Sequence, residues 1–446
     1  MTQAAGHEHD AIRASDGAIS RLRALHPNLI DLSTGRIERL LEALGRPQDR
    51  LGPVIHVAGT NGKGSTVAFL RAIAEAAGLK VNVLTSPHLV RFCERIRLGG
   101  ELIGDAELGA RVDEVEGANR GQSISFFEIA TALAFHAFAE HPADLTVVEV
   151  GLGGRFDATN VFAAPAVSVI TPVDYDHLEM LGPELARIAW EKAGVIKAGR
   201  PAVVARQDAE ALDVIEAEAA TLGAPLTLMG RDFDAFEERG RLAVTTGERL
   251  IDLPAPGLAG DHQFSNAGLA VAAALALNDP RIDEAALAAG VAGATWPGRL
   301  QRLTAGPLGR AAAARGADLW LDGGHNPHAG RALAQACERL AVRDGRPLAL
   351  IVGMLARKDA AGFLGPFATL APRVFTTAFE SESAMPAEVL AEAARSAGLA
   401  AHPAQGVVAA LDRALASAEP APRVLVCGSL HLVGDALAMS PDTWPD

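Results

Sequence analysis

Apolar residues recur along this chain in short continuous runs and not in alternation. Val54–Ala58, Val81–Leu84, Leu145–Val150, Val167–Ile170 and Ala202–Ala205 are such runs, and Leu319–Leu321, Leu348–Val352, Val374–Phe375 and Val424–Val426 follow later. A strand that is apolar on both faces is one covered on both faces. The stretches between them are rich in Ala, Leu and Glu and have helical length. Strand–helix alternation of this kind predicts an α/β fold built on parallel sheets.

Two places break the rhythm. Residues 207–257 are mixed, and "RDFDAFEERGRLAVTTGERLIDLP" reads as short strands and turns, so a small β-rich insertion is expected there. The helical pattern stops at the Pro-Gly pair of "AGATWPGRLQRL" and strand–helix alternation then restarts. The expected division is a larger N-terminal domain, 1–298, and a smaller C-terminal one, 299–446.

Composition narrows the function. A chain of 446 residues holds two or three domains and a sizeable core. A net charge of -14 and 4% aromatics with a single Tyr argue against nucleic acid as partner. An anionic substrate must then be drawn by local Lys and Arg. Cys93, Cys337 and Cys427 have no paired spacing, which fits a reducing compartment without a thiolate metal site. The start "MTQAAGHEHD" is polar and acidic, unlike a signal peptide. The best apolar run, "AGLAVAAALAL" from Ala267, falls short of the ~18 residues that span a bilayer. A cytoplasmic protein without membrane contact is expected.

"HVAGTNGKGSTVAF" (56–69) places a glycine loop between an apolar strand and a helix, the context a phosphate-binding loop requires. Glycines let backbone N–H groups turn towards an anion, and the helix directs its positive end to the same point. Lys63 supplies a point charge, and Ser65 or Thr66 a hydroxyl near a metal. The alternative is a tight connection with an exposed lysine.

Glu149 closes the run in "LTVVEVGLGGRFDATN", where it either ligates a metal–nucleotide complex or caps a turn. Asp174, Asp176 and His177 follow the next run, and a neutral imidazole there suits a divalent ion. In "TSPHLVRFCERIRL", Ser86 is placed to reach a metal, while Arg91, Arg95 and Arg97 either give local positive charge for an anion or, the favoured reading on their own, form a solvated basic face. Glu128, early in the apolar helix "SFFEIATALAFHAFAEH", leans towards a dipole partner at the helix start rather than a substrate contact.

Taken together, "VAGTNGKGS", "SPHLVRFCERI", "FFEIATALAF", "VEVGLGGRFDATN", "DHLEMLGPELARIAWEKAG", "WPGRLQ", "DGGHNP", "GMLARKD" and "LVCGSLH" resemble the folylpolyglutamate synthase family. More specifically, they look like the bacterial bifunctional dihydrofolate synthase/folylpolyglutamate synthases within the Mur ligase superfamily. The resemblance spans about Ile30 to Val433. It implies two Rossmann-like domains and an ATP-dependent amide ligase that adds L-glutamate to dihydropteroate and to reduced folates through an acyl phosphate. Carried over by position, it implies Thr60, Asn61, Gly62, Lys63, Gly64, Ser65, Asn266, Arg299, Asp322 and His325 around ATP. It implies Ser86, Glu149, His177 and Lys192 around two Mg²⁺ ions, with Lys192 carried as an N6-carboxylated lysine. It assigns Asp31, Leu32, Ser33, Thr34, Ser125, Phe126, Phe127, Glu128, Phe156, Asp157 and Ala158 to the pterin substrate. The chain departs from the family at Gly324, where Ala is frequent, and at Ser33, where Gly is. The superfamily architecture implies a monomer.

Read without the resemblance, Lys192 is an exposed helix residue that pairs with a neighbouring acid. Two other functions are open. A muramyl-type peptide ligase normally carries a further N-terminal domain, and only about 50 residues precede the phosphate loop. A regulatory P-loop ATPase leaves "DGGHNP" unexplained.

Overall fold

The computed structural model describes residues 16–26, 33–247, 249–416 and 420–446. They form two compact units. The first contains the described residues up to His88, then Phe92–Gly257 and Phe264–Ala294. The second contains Leu89–Arg91, Leu258–Gln263 and Thr295–Asp446.

The first unit is built on an eight-stranded sheet. Its strands are β1 (Val54–Ala58), β2 (Val81–Leu84), β3 (Ile96–Leu98), β4 (Glu101–Leu102), β5 (Leu145–Glu149), β6 (Val167–Ile170), β7 (Ala202–Val204) and β8 (Leu226–Leu228). They lie in the order β4-β3-β2-β5-β1-β6-β7-β8. All pairings are parallel except those of β3 and β4 at one edge. Every residue of β1, β2, β5, β6 and β7 is buried, which is why these strands read as continuous apolar runs. Because β1 lies between β5 and β6, their carboxyl ends meet at the centre of the sheet, where such folds bind ligands.

The expected β-rich insertion is smaller than 207–257. Residues Ala209–Leu222 are a helix and β8 extends the main sheet. Only β9 (Phe233–Glu238), β10 (Arg241–Thr246) and β11 (Arg249–Leu253) form a separate antiparallel sheet. Helix Ala209–Leu222 has a weak apolar stripe, Ala211, Ile215 and Ala219 among many Ala and Glu residues, so its periodicity is faint in the sequence.

The second unit has a six-stranded sheet of β12 (Gln301–Arg302), β13 (Asp318–Leu321), β14 (Leu348–Val352), β15 (Arg373–Thr376), β16 (Ala400–Pro403) and β17 (Arg423–Cys427). Their order is β12-β13-β17-β14-β15-β16, and only β12 is antiparallel. No helix among the described residues is long and apolar enough to cross a membrane.

The helix that follows the phosphate loop, Lys63–Ala76, is clamped from behind by helix Glu284–Gly293. A Cβ on Gly290 would stand 2.4 Å from the Ile73 Cα, so the two backbones are in direct contact. Overpacking such a contact costs about 1–3 kcal/mol. Gly290→Ala is therefore expected to lower the thermal midpoint and to raise KM for nucleotide as the Lys63 helix shifts. An unchanged midpoint and KM would contradict this packing.

Candidate active site

The phosphate-loop stretch folds as strand, loop and helix. Gly59 has φ 141°, and a Cβ there would sit 1.9 Å from Thr171 Oγ1, so the position admits only glycine. The loop is tied to the segment after β6. Thr60 and Asn61 N–H groups donate to Pro172 O, and the Thr60 hydroxyl donates to Asp174 O at 2.9 Å. Asn266, on helix His262–Ala276, lies against Gly62: its Oδ1 is 2.5 Å from where a Cβ on residue 62 would stand. Gly62 precedes the helix that begins at Lys63, and Gly64 and Ser65 are buried in its first turn.

Lys63 folds back over the loop and donates to Gly59 O at 3.1 Å and Thr60 O at 3.2 Å. Lys192 is not the exposed helix residue of the simplest reading. It is 4% exposed, on helix Leu185–Ala193, and donates to the same Gly59 O at 3.0 Å. Burial and then the charge of Lys63 lower its pKa to about 7, against the pull of Asp176, Glu191 and Asp157. At neutral pH a large share of Lys192 is therefore a free amine.

Glu149 is buried at the end of β5 and accepts from the Ser86 N–H at 3.3 Å. His177 follows β6 at φ 54°; its N–H donates to Asp176 Oδ1 at 2.8 Å. Among the described residues no three His, Cys, Asp or Glu side chains are gathered to hold a metal alone. The donors still suit Mg²⁺, which takes one or two carboxylates and completes its shell with phosphate oxygens and water. Glu149, Ser86 and His177 are hard or intermediate donors at the ends of β5, β2 and β6.

On the pterin side, Asp31 and Leu32 lie outside the described residues. Ser33 and Thr34 lead into helix Gly35–Ala43. Its Arg36 donates to Glu128 Oε2 at 3.0 Å. Glu128 does what its place at the helix start suggests: with Ser125 it forms a reciprocal cap, accepting from the Ser125 N–H at 2.8 Å. Its second oxygen, Oε1, is buried without a protein partner, so it also remains open to a ligand. Phe126 is buried, and Phe127 packs over the Gly151 backbone. Phe156 meets Trp190 at 6.2 Å. Ala158 is buried.

Asp157 is buried and organises the 151–160 loop, accepting from the Leu152 and Thr159 N–H groups and from the Thr159 hydroxyl. Burial raises its pKa while these donors oppose the rise. The Thr159 oxygen also lies 2.9 Å from His56 Nε2. With its one proton given to Asp157, Thr159 accepts from His56, which is neutral because burial takes its pKa to about 3. This His56–Thr159–Asp157 chain joins β1 to the loop. Nothing in residue spacing signals it.

In the second unit, Asp322 is buried beyond β13 and accepts from Leu300 N at 2.8 Å and Gly324 N at 2.7 Å. His325 Nδ1 is 2.8 Å from Gly323 O, and Arg299 Nη1 donates to Gly298 O at 3.1 Å. A Cβ on Gly323 would be 2.9 Å from Arg299 Nη1, so Arg299, Asp322 and His325 share one corner of this unit.

Family models of the Mur ligase middle domain and of the Mur ligase glutamate ligase domain match residues 57–274 and 298–430. The dihydrofolate synthase/folylpolyglutamate synthase of Bacillus subtilis (strain 168) is 34% identical over 418 residues, which is 90% of this chain and 93% of that protein. Among solved structures, "E.coli FolC in complex with DHPP and ADP" superposes with a TM-score of 0.85 at 34% identity, covering 95% of this chain and 96% of that one. The bifunctional synthase of Yersinia pestis, complexed with AMPPNP and Mn ion, gives 0.83 at 33% identity, with 95% and 97% covered. Full-length likeness at this level, in sequence and in both sheets, makes the chain a member of the dihydrofolate synthase/folylpolyglutamate synthase family of Mur ligases.

Proposed function

We propose that the protein is an ATP-dependent ligase that joins L-glutamate to dihydropteroate and to reduced folates. A carboxylate is a poor electrophile, and direct condensation with an amine in water is uphill. Transfer of the γ-phosphoryl group of ATP to the substrate carboxylate gives an acyl phosphate and ADP. The glutamate amine then attacks the acyl carbon, and phosphate leaves with the C–O bond pair.

One observation carries this reading: two lysine side chains converge on the Gly59 carbonyl at the phosphate loop. Lys63 offsets the repulsion between triphosphate and carboxylate. Thr60 and Asn61, whose N–H groups are tied to Pro172 O, shape the loop around the phosphates, Gly62, Gly64 and Ser65 offer backbone and hydroxyl donors to them, and Asn266 borders the loop. Glu149, Ser86 and His177 would hold Mg²⁺, which would supply charge neutralisation at the phosphoryl group. A nucleotide switch has no use for a second, half-neutral amine beside its loop. Lys192 has the reactive form required for carbamate formation, in which the amine adds to CO₂ and releases one proton. That change turns a cation into an anion suited to a second divalent ion. Arg299, Asp322 and His325 are assigned to the nucleotide from the C-terminal unit. Ser33, Thr34, the Ser125–Glu128 cap and the Phe156–Ala158 turn are assigned to the pteridine. A cytoplasmic monomer is part of the same proposal.

Lys63→Met is expected to abolish glutamate-dependent ADP release with dihydropteroate and with tetrahydrofolate while the thermal midpoint is kept. Wild-type turnover in that variant would reject the phosphate assignment. For Lys192, CO₂-free buffer is expected to lower activity and bicarbonate to restore it, whereas Lys192→Met stays inactive in both. The lysine's folded pKa lies below its ordinary 10.5, so the unfolded state binds the extra proton between about pH 7 and that value. Stability from this group therefore rises with pH across that window. In CO₂-free buffer Lys192→Met should melt above wild type at pH 7, and the gap should close towards pH 10; a gap independent of pH would show that the amine is not depressed.

A further inference from the structure

Arg95 departs from the solvated basic face that its sequence suggests. It ends the short turn Phe92–Arg95, and its guanidinium is turned inward over the Phe92 ring, 5.4 Å from the centroid. Its Nε lies 2.7 Å from His88 Nδ1. Burial, and then the charge of Arg23, lower its pKa to about 10, so it keeps its charge at neutral pH. Arg23, on the helix over 16–25, reaches the same imidazole from the other side, with Nη2 3.1 Å from His88 Nε2. The Arg23 guanidinium also covers the Phe126 ring at 5.3 Å, and Phe126 meets Phe92 edge-on at 6.0 Å.

Two features of this cluster call for an anion. An imidazole offers at most one acceptor nitrogen, yet two guanidiniums direct N–H groups at its two nitrogens. In either tautomer one of these contacts sets donor against donor. Neither guanidinium is paired with a carboxylate among the described residues, and Glu94 and Glu149 act on Arg95 only through longer-range attraction. A half-buried guanidinium with no paired carboxylate gains from an anionic ligand that shares its enclosed side.

We propose that Arg23, His88 and Arg95 form a subsite for a carboxylate of the pteridine substrate, an inference that rests on the ligase reading above. Location selects this anion. His88 is two residues beyond Ser86, whose N–H meets Glu149, so one side of the cluster borders the phosphoryl-transfer corner. Its other side is Phe126, within the segment assigned to the pteridine. The Phe92–Phe126 pair offers apolar edges to an aryl ring, and the two guanidiniums offer planar N–H donors to the carboxylate that ring bears. One carboxylate oxygen between Arg23 and Arg95 accepts from both and removes the donor conflict at His88. Dihydropteroate brings only its reacting carboxylate. A reduced folate brings a second, non-reacting one on its glutamyl unit.

The test is ADP release by full-length Arg23→Gln and Arg95→Met, with each acid varied at saturating ATP and glutamate. Loss of a charge-assisted pair is expected to raise KM for the acid about 10- to 100-fold. KM for ATP and for glutamate should stay within twofold of wild type, roughly the scatter expected for distant sites. A rise with tetrahydrofolate alone assigns the cluster to the non-reacting carboxylate; a rise with both acids assigns it to the reacting one. A rise in KM for glutamate instead, or no change in any KM, overturns the subsite. Arg23 is exposed, so its variant reads out binding even if Arg95→Met folds poorly. If Arg95→Met folds, its thermal midpoint should stay close to that of wild type, because a half-buried charge without a carboxylate partner is replaced by an apolar side chain over Phe92. Wild-type enzyme that releases no ADP with either acid would instead sink the ligase reading.

Discussion

Two amines pressed against one backbone carbonyl are the constraint around which this molecule is organised. Lys63 arrives from the helix after the phosphate loop and Lys192 from a helix more than a hundred residues later, and both end on Gly59 O. Like charges this close are tolerable when one amine gives up its proton or an anion joins them. The sheet order makes the convergence possible. With β1 between β5 and β6, the loop after β1 receives Glu149 on one side and the Asp174–His177 segment on the other. Opposite charges thus surround a pair of lysines that the backbone alone cannot satisfy.

Buried carboxylates elsewhere in the protein share a second logic. Glu128, Asp157 and Asp322 each accept backbone N–H groups from a turn that hydrogen bonds within regular structure would leave unsatisfied. These acids hold loop shape while standing next to the positions where substrates are assigned. The loops that face the chemistry are therefore stiff, although they lie outside helices and strands. Substrate contact and loop architecture overlap in the same residues, so a substitution at Asp157 changes both at once.

The parallel strands were legible because burial on both faces leaves a run of Val, Ile and Leu that no helix-period pattern imitates. The phosphate loop was legible because its glycines and lysine sit between such a run and a helix. Short elements were not. The β3–β4 hairpin and β16 are two to four residues long and carry Arg, Glu, His or Pro. Among site residues, the motif stretches supplied the identities but not the depth. Lys192 and Arg95 both occur in ordinary charged surroundings in the sequence, and only packing turns them inward. The His56–Thr159–Asp157 chain was invisible because His56 lies 103 residues before Thr159 and none of the three has an unusual neighbour.

That chain has a consequence for how the enzyme tolerates change. The strand that launches the nucleotide loop and the turn assigned to the pteridine are joined by two consecutive hydrogen bonds, from a histidine to a hydroxyl and from that hydroxyl to a carboxylate. A Thr159→Val exchange would strand an imidazole N–H in the core, and His56→Leu would leave the hydroxyl oxygen without its donor. Redesign of acid-substrate preference at this turn is thus bound to the first strand of the fold, and the two stretches must be varied as a pair.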